Sequence, residues 1–575
     1  MLPLLLSLLV LPAAARAQST NGFQYITTNG SVTITGYDCP PTLADAVIPD
    51  TITGLPVTRI GDESFQGCTG LTSVTIPNGV TTIGALAFYG CASLTNITIP
   101  SNVATIERWA FNACPSVSEI TVDALNPHYS SVDGVLFDKG QSTLIRYPEG
   151  KIRVDFAIPA GVTNIAESAF YGCANLTSVT IPNSVASIED NAFAGTSLTS
   201  VVIPSSVTAI GVDTFGGCPR LATITVDTQN PVYSSAAGVL FNQSQTALIQ
   251  YPQGKEGTSY IIPSTVVSIS DWAFEDSSLI SVTLPNSVTS IGFAAFNQCT
   301  SLSSVALPDS VTNIGGAAFD LCLSLTNLTI GANVTSIGTN AFSSTGLTTI
   351  SIPDSVTSIG EGAFANCSHL SGIAVGGKNP IYSAAGGVLL DRTRATLVQC
   401  PAAKTGNYTI PQSITNIGVV AFAGAKLTTV TIPDSIAGIQ AGAFYGCTNL
   451  AGVYFQGNAP SLDHDAFAQD THAIVYYLAG TTGWGTTFGA LPTTLWSLPS
   501  PLILTTSPAF GLHTNQFGFN IFWSSNQMVI VEATANLAHP SWAPVATNTL
   551  TGGTSYFSDP QSTEHPARFY RLRVP

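Results

Sequence analysis

Apolar and polar positions along this chain repeat with two superposed periods. The short period is two residues. In residues 71–77, LTSVTIP, Val74 and Ile76 alternate with Ser73 and Thr75, which predicts a strand with one buried face. Pro77 ends that strand, because it has no N–H to give to a ladder. The long period is 22 or 23 residues, and one phenylalanine marks each repeat. Phe65, Phe88 and Phe111 form a first block, and Phe170, Phe193 and Phe215 a second. Phe274, Phe296, Phe319, Phe342 and Phe364 form a third, and Phe422, Phe444 and Phe467 the last. A typical unit begins at Leu71 as LTSVTIPNGVTTIGALAFYGCAS, with VTTIG as a second extended piece before Ala87 and Phe88 close the coil. One such unit cannot bury its apolar face alone, whereas stacked units bury theirs against each neighbour. The pattern therefore predicts a mainly β solenoid.

Three copies of a different module separate the blocks, near 123–150, 227–254 and 376–403, opening at Asn126, Asn230 and Asn379 as NPHYSSVDGVLF, NPVYSSAAGVLF and NPIYSAAGGVLL. Each reads as a β-hairpin around a polar turn such as Asp138-Lys139-Gly140-Gln141. Loops on a rigid scaffold favour recognition, but the rings of Tyr129, Phe137, Tyr147, Tyr233, Phe241 and Tyr251 are expected to pack on their own coil. Residues 18–60 read as an N-terminal cap, 61–475 as the array and 476–497 as a C-terminal cap, in which Trp484 and Trp496 cover the last rung. Residues 498–501 read as a short linker. Residues 502–575 change to separated strands, expected to form a small β-sandwich resembling immunoglobulin or fibronectin type III modules.

Composition narrows the partner class. Charged residues make up only 9% of the chain, 17 basic against 33 acidic, for a net charge of −16. Without basic runs, nucleic acid is excluded as the expected partner. Residues 1–17, MLPLLLSLLVLPAAARA, read as a secretory signal peptide with cleavage before Gln18, and no later run reaches the about 20 apolar residues of a membrane helix. Nine of the eleven cysteines, Cys68, Cys91, Cys114, Cys173, Cys218, Cys299, Cys322, Cys367 and Cys447, lie three residues after a marker phenylalanine. Only Cys39 and Cys400 fall outside that frame. One repeated offset points to a column of small buried thiols, with rung-to-rung disulfides as the alternative. No cofactor, metal or catalytic residue is expected. The seven histidines are scattered, and the one suggestive group, Asp463, His464 and Asp465 with His472, falls on variable surface positions.

The stretch from Ile76 to Ile97, IPNGVTTIGALAFYGCASLTNI, resembles the IPxxVTxIGxxAFxxCxxLTxV phrase of the BspA-like leucine-rich repeats of bacterial surface proteins, and the resemblance runs from about Gly36 to Trp496. It implies a leucine-rich-repeat solenoid, exposure at the cell surface and attachment to proteins or other cells; the carpet of small hydroxyls adds glycans as expected ligands, and the lack of any acid, base and nucleophile at a defensible spacing argues against an enzyme. The expected binding surface is the polar side of the strands: Ser73 and Thr75, Asn96 and Thr98, Ser178 and Thr180, Ser281 and Thr283, Asn327 and Thr329, Thr429 and Thr431. The alternative is a structural envelope or extracellular-matrix component in which the solenoid is a spacer. Val202, Ala306 and Tyr454 interrupt the hydroxyl rows, which counts against matching an ordered lattice such as ice.

Overall fold

The computed structural model describes residues 18–20, 22–39, 44–505, 509–565 and 567–575. The expected signal peptide, 1–17, lies outside them. Among the described residues there is no α-helix, and the chain is built of short strands. Contacts divide it into two compact units, residues 1–257 with 268–278, and residues 258–267 with 279–575.

Both units use the same coil. A face strand such as Ser73–Thr75 ends at proline, a turn closed by Val80 N–H on Pro77 O leads to the two-residue inner strand Thr82–Ile83, and Phe88 follows. Neighbouring coils are joined by parallel hydrogen-bond rows, for example Thr95 N–H to Thr72 O (3.1 Å), Ala104 N–H to Thr81 O (2.8 Å) and Phe88 N–H to Ala110 O (2.9 Å). The marker phenylalanine is aimed inward by its neighbours. The residues two before and two after it have positive φ, as with Leu86 and Gly90 around Phe88 or Val420 and Gly424 around Phe422. The second position explains the recurring glycine of AFYGC, since glycine alone has no Cβ to strain there. The rings form a stacked column: 4.9 Å between the centroids of Phe65 and Phe88, 5.0 Å for Phe296 and Phe319, 4.7 Å for Phe422 and Phe444. Each fully buried ring contributes about 1.5–3 kcal/mol.

In the first unit the strands Gln18–Thr20, Phe23–Thr28 and Ser31–Tyr37 form an antiparallel meander, whose last strand pairs in parallel with Leu55–Ile60. The inner ladder continues through Thr82–Ile83 and stops at Thr105–Ile106. A second ladder begins in the first insert and stops at Ala209–Ile210. In the second unit a ladder ending at Ser358–Ile359 precedes the third insert, and another runs from that insert to Ser461–Leu462.

The inserts correct the hairpin expectation. Each is a three-stranded meander with two turns. Tyr129–Val132 and Val135–Asp138 pair antiparallel around Asp133-Gly134, and Thr143–Arg146 then turns back to pair in parallel with Asn164–Ile165. The turn missed by the sequence reading is type I′, with positive φ at Asp133 and Gly134, Ala237 and Gly238, and Gly386 and Gly387. Its second glycine approaches the last face strand of the block before it: Ile120 N–H donates to Gly134 O, Ile224 N–H to Gly238 O, and Ile373 N–H to Gly387 O, each at 2.9 Å. A Cβ on Gly134 would lie 3.1 Å from Glu119. The inner strand is closed by a phenol. The hydroxyls of Tyr129, Tyr233 and Tyr382 accept the N–H groups of Ile106, Ile210 and Ile359. The Asn-Pro asparagine is buried and fully used: Asn126 donates to Pro100 O and Val103 O and accepts from the N–H groups of His128 and Tyr129. Each insert is therefore an internal cap on the coil before it and the first rung of the next ladder.

At the C-terminal end Leu491–Leu495 pairs with Ile474–Tyr477, and Trp484 packs on Phe455, Tyr477 and Phe488. The tail holds two antiparallel sheets. One contains Leu502–Ile503, Gly511–His513, Gln516–Phe522 and Thr554–Asp559, and the other Met528–Thr534, Ala543–Thr549 and Phe569–Arg573. Phe519, Ile521, Val529, Val531, Leu550 and Phe557 form their shared cluster. Residues 498–501 are not a free tether. Leu478, Leu504 and Phe522 form a buried cluster joined by Trp496, Leu498 and Leu502, and Trp523 Nε1 donates to Leu498 O (3.1 Å). The tail is docked on the cap.

Candidate functional site

The hydroxyl face is set by strand alternation, with Val74, Ile97, Val179, Val282, Leu328 and Val430 turned into the core. Thr75, Asn96, Thr98, Ser178, Thr180, Thr283, Asn327 and Thr329 are exposed, as expected, whereas Ser73, Ser281, Thr429 and Thr431 are half-buried. Parallel pairing without stagger places like residues side by side, Ser178 beside Asp155 and Ser304 beside Asn327, and the hydroxyls of Thr98 and Thr121 lie 3.0 Å apart. Other members are tied by bonds of their own, Ser73 Oγ to Asp45 (2.6 Å), Asn96 Nδ2 to Thr95 Oγ1 (3.3 Å) and Thr429 Oγ1 to Asn407 (2.8 Å). The rows also contain exposed apolar side chains, of which the sequence marks Val202 but not Val47 or Ile261. Val47 and Ile261 stand beside Thr75 and Thr283, as Val202 stands beside Thr225.

Other hydroxyl columns are committed to the scaffold. Thr95 Oγ1 donates to Thr72 O, Thr177 to Val154 O and Ser371 to Thr348 O, each carbonyl lying one rung back. On the inner ladder Thr312 and Thr335 do the same to Thr289 O and Thr312 O. In contrast, the side chains of Ser178, Thr180, Thr283, Asn327 and Thr329 make no hydrogen bond to another described residue. The polar surface thus divides into hydroxyls that hold rungs together and hydroxyls turned outward.

The cysteine column has a scaffold role finer than space filling. The thiols of Cys91, Cys114, Cys322 and Cys447 donate to the carbonyls of Phe65, Phe88, Phe296 and Phe422, the marker of the preceding coil, at 3.0–3.2 Å. In two of the shorter coils Thr196 and Thr345 donate to the marker of their own coil and meet the next cysteine sulfur. Burial pushes the thiols of Cys91, Cys173 and Cys400 up to about 12, far from the thiolate that nucleophilic or metal chemistry needs. One column member departs from the thiol expectation: Cys68 forms a disulfide with Cys39, their Cα atoms 5.2 Å apart. In the last coil Asp470 occupies the cysteine position, 3% exposed, and burial raises its carboxyl from 3.8 to about 7.

Asp463, His464, Asp465 and His472 are exposed, and no group of three or more His, Cys, Asp or Glu side chains among the described residues is arranged to hold a metal ion. The insert aromatics are packed: Phe137, Tyr147, Phe241 and Tyr251 are buried, and Tyr129 and Tyr233 are half-buried with their hydroxyls engaged on the ladder edge. They supply no exposed aromatic anchor. No helix among the described residues is long and apolar enough to cross a membrane.

Coils of one face strand and one inner strand, stacked on columns of aliphatic, phenylalanine and cysteine side chains, define a leucine-rich-repeat β-solenoid. The chain belongs to the BspA type leucine-rich repeat family, whose region of 6 copies matches residues 37–150, 150–256, 253–371 and 401–480. Among solved structures it is similar to a leucine rich cell surface protein from Faecalibacterium prausnitzii A2-165, at 28% identity over 77% of this chain and 96% of that one, with a TM-score of 0.33. It is also similar to the pneumococcal vaccine antigen PcpA, at 17% identity over 84% and 99% with a TM-score of 0.34. A leucine-rich repeat protein from Eubacterium ventriosum ATCC 27560 matches at 20% identity over 82% and 96%, again with a TM-score of 0.34. No curated protein matches the chain.

Proposed function

We propose that this is an exported, non-enzymatic surface protein that binds a protein or glycan partner through the outward hydroxyl face of its coils. The observation that carries the reading is the division between hydroxyls tied to the neighbouring rung and those of Ser178, Thr180, Thr283, Asn327 and Thr329, which are turned outward without a side-chain bond. Membership of the BspA type family and the apolar leader at 1–17 support export and surface display. Small hydroxyls give weak contacts individually, since strong protein interfaces rest on Trp, Tyr and Arg anchors. Affinity would come from repetition along the face. The docked tail would present or retain the array.

The test is binding of the full chain to glycan and extracellular-matrix-protein arrays, compared with a variant carrying Thr180→Ala, Thr283→Ala and Thr329→Ala. Saturable capture that the alanine changes weaken at least tenfold is the expected result. Capture that survives them unchanged would remove the face from the mechanism. The burial of the insert aromatics favours a second reading, a spacer whose surface has no recognition role, and silence on every array would select it.

A further inference from the structure

Each insert interrupts the coil ladder at the same place, and the interruption leaves a cleft. Three such clefts occur, of about 230, 250 and 160 Å³. They share one plan, the first differing in that Arg108 and Arg146 line it, with Arg108 3.8 Å from Glu167. One wall is the loop before the marker phenylalanine of the block's last coil, residues 106–111, 210–215 and 359–364. The other wall is the start of the following coil, and the floor is a buried polar side chain from the last insert strand: Arg146, Gln250 or Gln399.

The chemistry of the walls follows from the interruption. In an ordinary coil the N–H groups of the marker phenylalanine and of the residue two before it donate to the next rung, as Phe88 does to Ala110 O and Leu86 to Arg108 O. At the clefts the corresponding N–H groups, those of Trp109 and Phe111, Asp213 and Phe215, and Gly362 and Phe364, have no acceptor among the described residues. Side-chain acceptors line the clefts: Glu167 and Glu189 in the first, where Glu189 already accepts from Asn164 Nδ2 and Glu167 N–H, Asp213 and Asp271 in the second, and Glu361 and Gln440 in the third, with Asp213 and Glu361 on the same wall as the N–H groups. Leu136, Leu240 and Leu389, all fully buried, lie beneath the clefts as part of the core.

We infer that each cleft binds one residue of a neutral saccharide. A cationic side chain only donates and would leave the main-chain N–H pair unmet. An anion only accepts and would face the carboxylates. A sugar hydroxyl does both, and a single ring carries several of them. The volumes lie below the about 300–1,000 Å³ of clefts that take drug-sized ligands, which fits a single ring and not a folded segment. Three sites of one plan make the protein multivalent toward a repeating glycan, so weak single-site binding becomes useful avidity. These sites are distinct from the hydroxyl face, and the two stand or fall separately.

The test is titration of the full chain with methyl glycosides of glucose, galactose, mannose and N-acetylglucosamine and with their tetramers, read by calorimetry and by saturation-transfer NMR. Expected are three sites for one of the neutral sugars and none for galacturonic acid. Each single block, Ala166→Phe, Ser270→Phe or Val419→Trp, should lower the stoichiometry by one site, with the other two clefts serving as controls for folding. The face variant with alanine at 180, 283 and 329 should keep all three sites. Stoichiometry unchanged by the blocks, absence of binding by every neutral sugar, or preferential binding of oligolysine or galacturonic acid that the blocks remove would overturn the assignment.

Discussion

Asp470 shows most directly what the coil demands of one side chain. At this position coils such as those of Cys91, Cys114, Cys322 and Cys447 place a thiol that donates to the carbonyl one rung back, and an ionised carboxylate cannot donate. Its side-chain oxygens are buried with no well-formed hydrogen bond, and the backbone of Cys447 offsets that burial only in part. Burial raises the folded-state value from 3.8 to about 7, so the folded protein holds this proton more tightly than the unfolded chain does. The sign follows: stability is greatest below 3.8, falls as pH rises toward 7, and stays lowered above that. Asp470→Cys is expected to stabilise the protein by about 1–3 kcal/mol at pH 8. The gain should shrink as pH falls toward 4. Thermal melts of both proteins across that range check it, and a pH-independent difference would assign the cost to shape instead of charge. A related strain sits at Val420, a β-branched residue held at φ 46° before its marker phenylalanine. Neither was legible in the sequence, because the phenylalanine period shows where a residue falls in the coil and not which backbone or hydrogen-bond role that place imposes.

At the scale of elements, the inserts are the informative case. Their boundaries were plain from the repeated Asn-Pro motif, and so was the inward packing of Phe137 and Phe241. The second turn was missed although Asp133-Gly134 carries a strong short-range hairpin signal. The reading attached the turn to the more polar Asp138–Gln141 segment instead. That error hid the capping role, which depends on Gly134 and Tyr129 reaching back to the preceding block. The buried asparagine should dominate the cap, since removing its side chain leaves two carbonyls and two N–H groups unmet. Asn126→Ala is expected to cost about 2–3 kcal/mol, and Tyr129→Phe, which removes one acceptor, about 1 kcal/mol. Denaturant melts give the difference, and hydrogen exchange should show Ile106 N–H losing protection in both variants. Equal, small effects would mean that the turn at Gly134 carries the cap alone. The clefts beside the inserts were invisible beforehand for the same reason. They are made by what the insert interrupts, and the Asn-Pro motif marks the insert but not the backbone groups that it leaves unpaired.

For the whole molecule, the solenoid was readable because fourteen phenylalanines in register leave no other economical way to bury their rings. The candidate face was legible in outline. The break at Val202 was legible too, whereas the exposure of Val47 and Ile261 and the commitment of neighbouring hydroxyls to the rungs show only in the folded chain. If each insert both ends one ladder and begins another, the blocks are interchangeable. Deleting residues 126–229, which joins the first block directly to the second insert, is expected to give a shorter chain that still unfolds cooperatively. Its midpoint should lie within a few degrees of the parent's, as calorimetry would show. A molten or aggregated product would mean that the insert sequences are fitted to their own blocks.

The ladder interruptions also bear on how the protein would respond to load. Rungs joined only to their neighbours peel one after another once an end is pulled loose, and an unbroken array would unzip along its whole length. Here each zipper stops at a capped coil, where a new start must be made. A chain held by its partner at one end and tugged at the other would lengthen in block-sized steps, each absorbing work while the remaining blocks keep their grip.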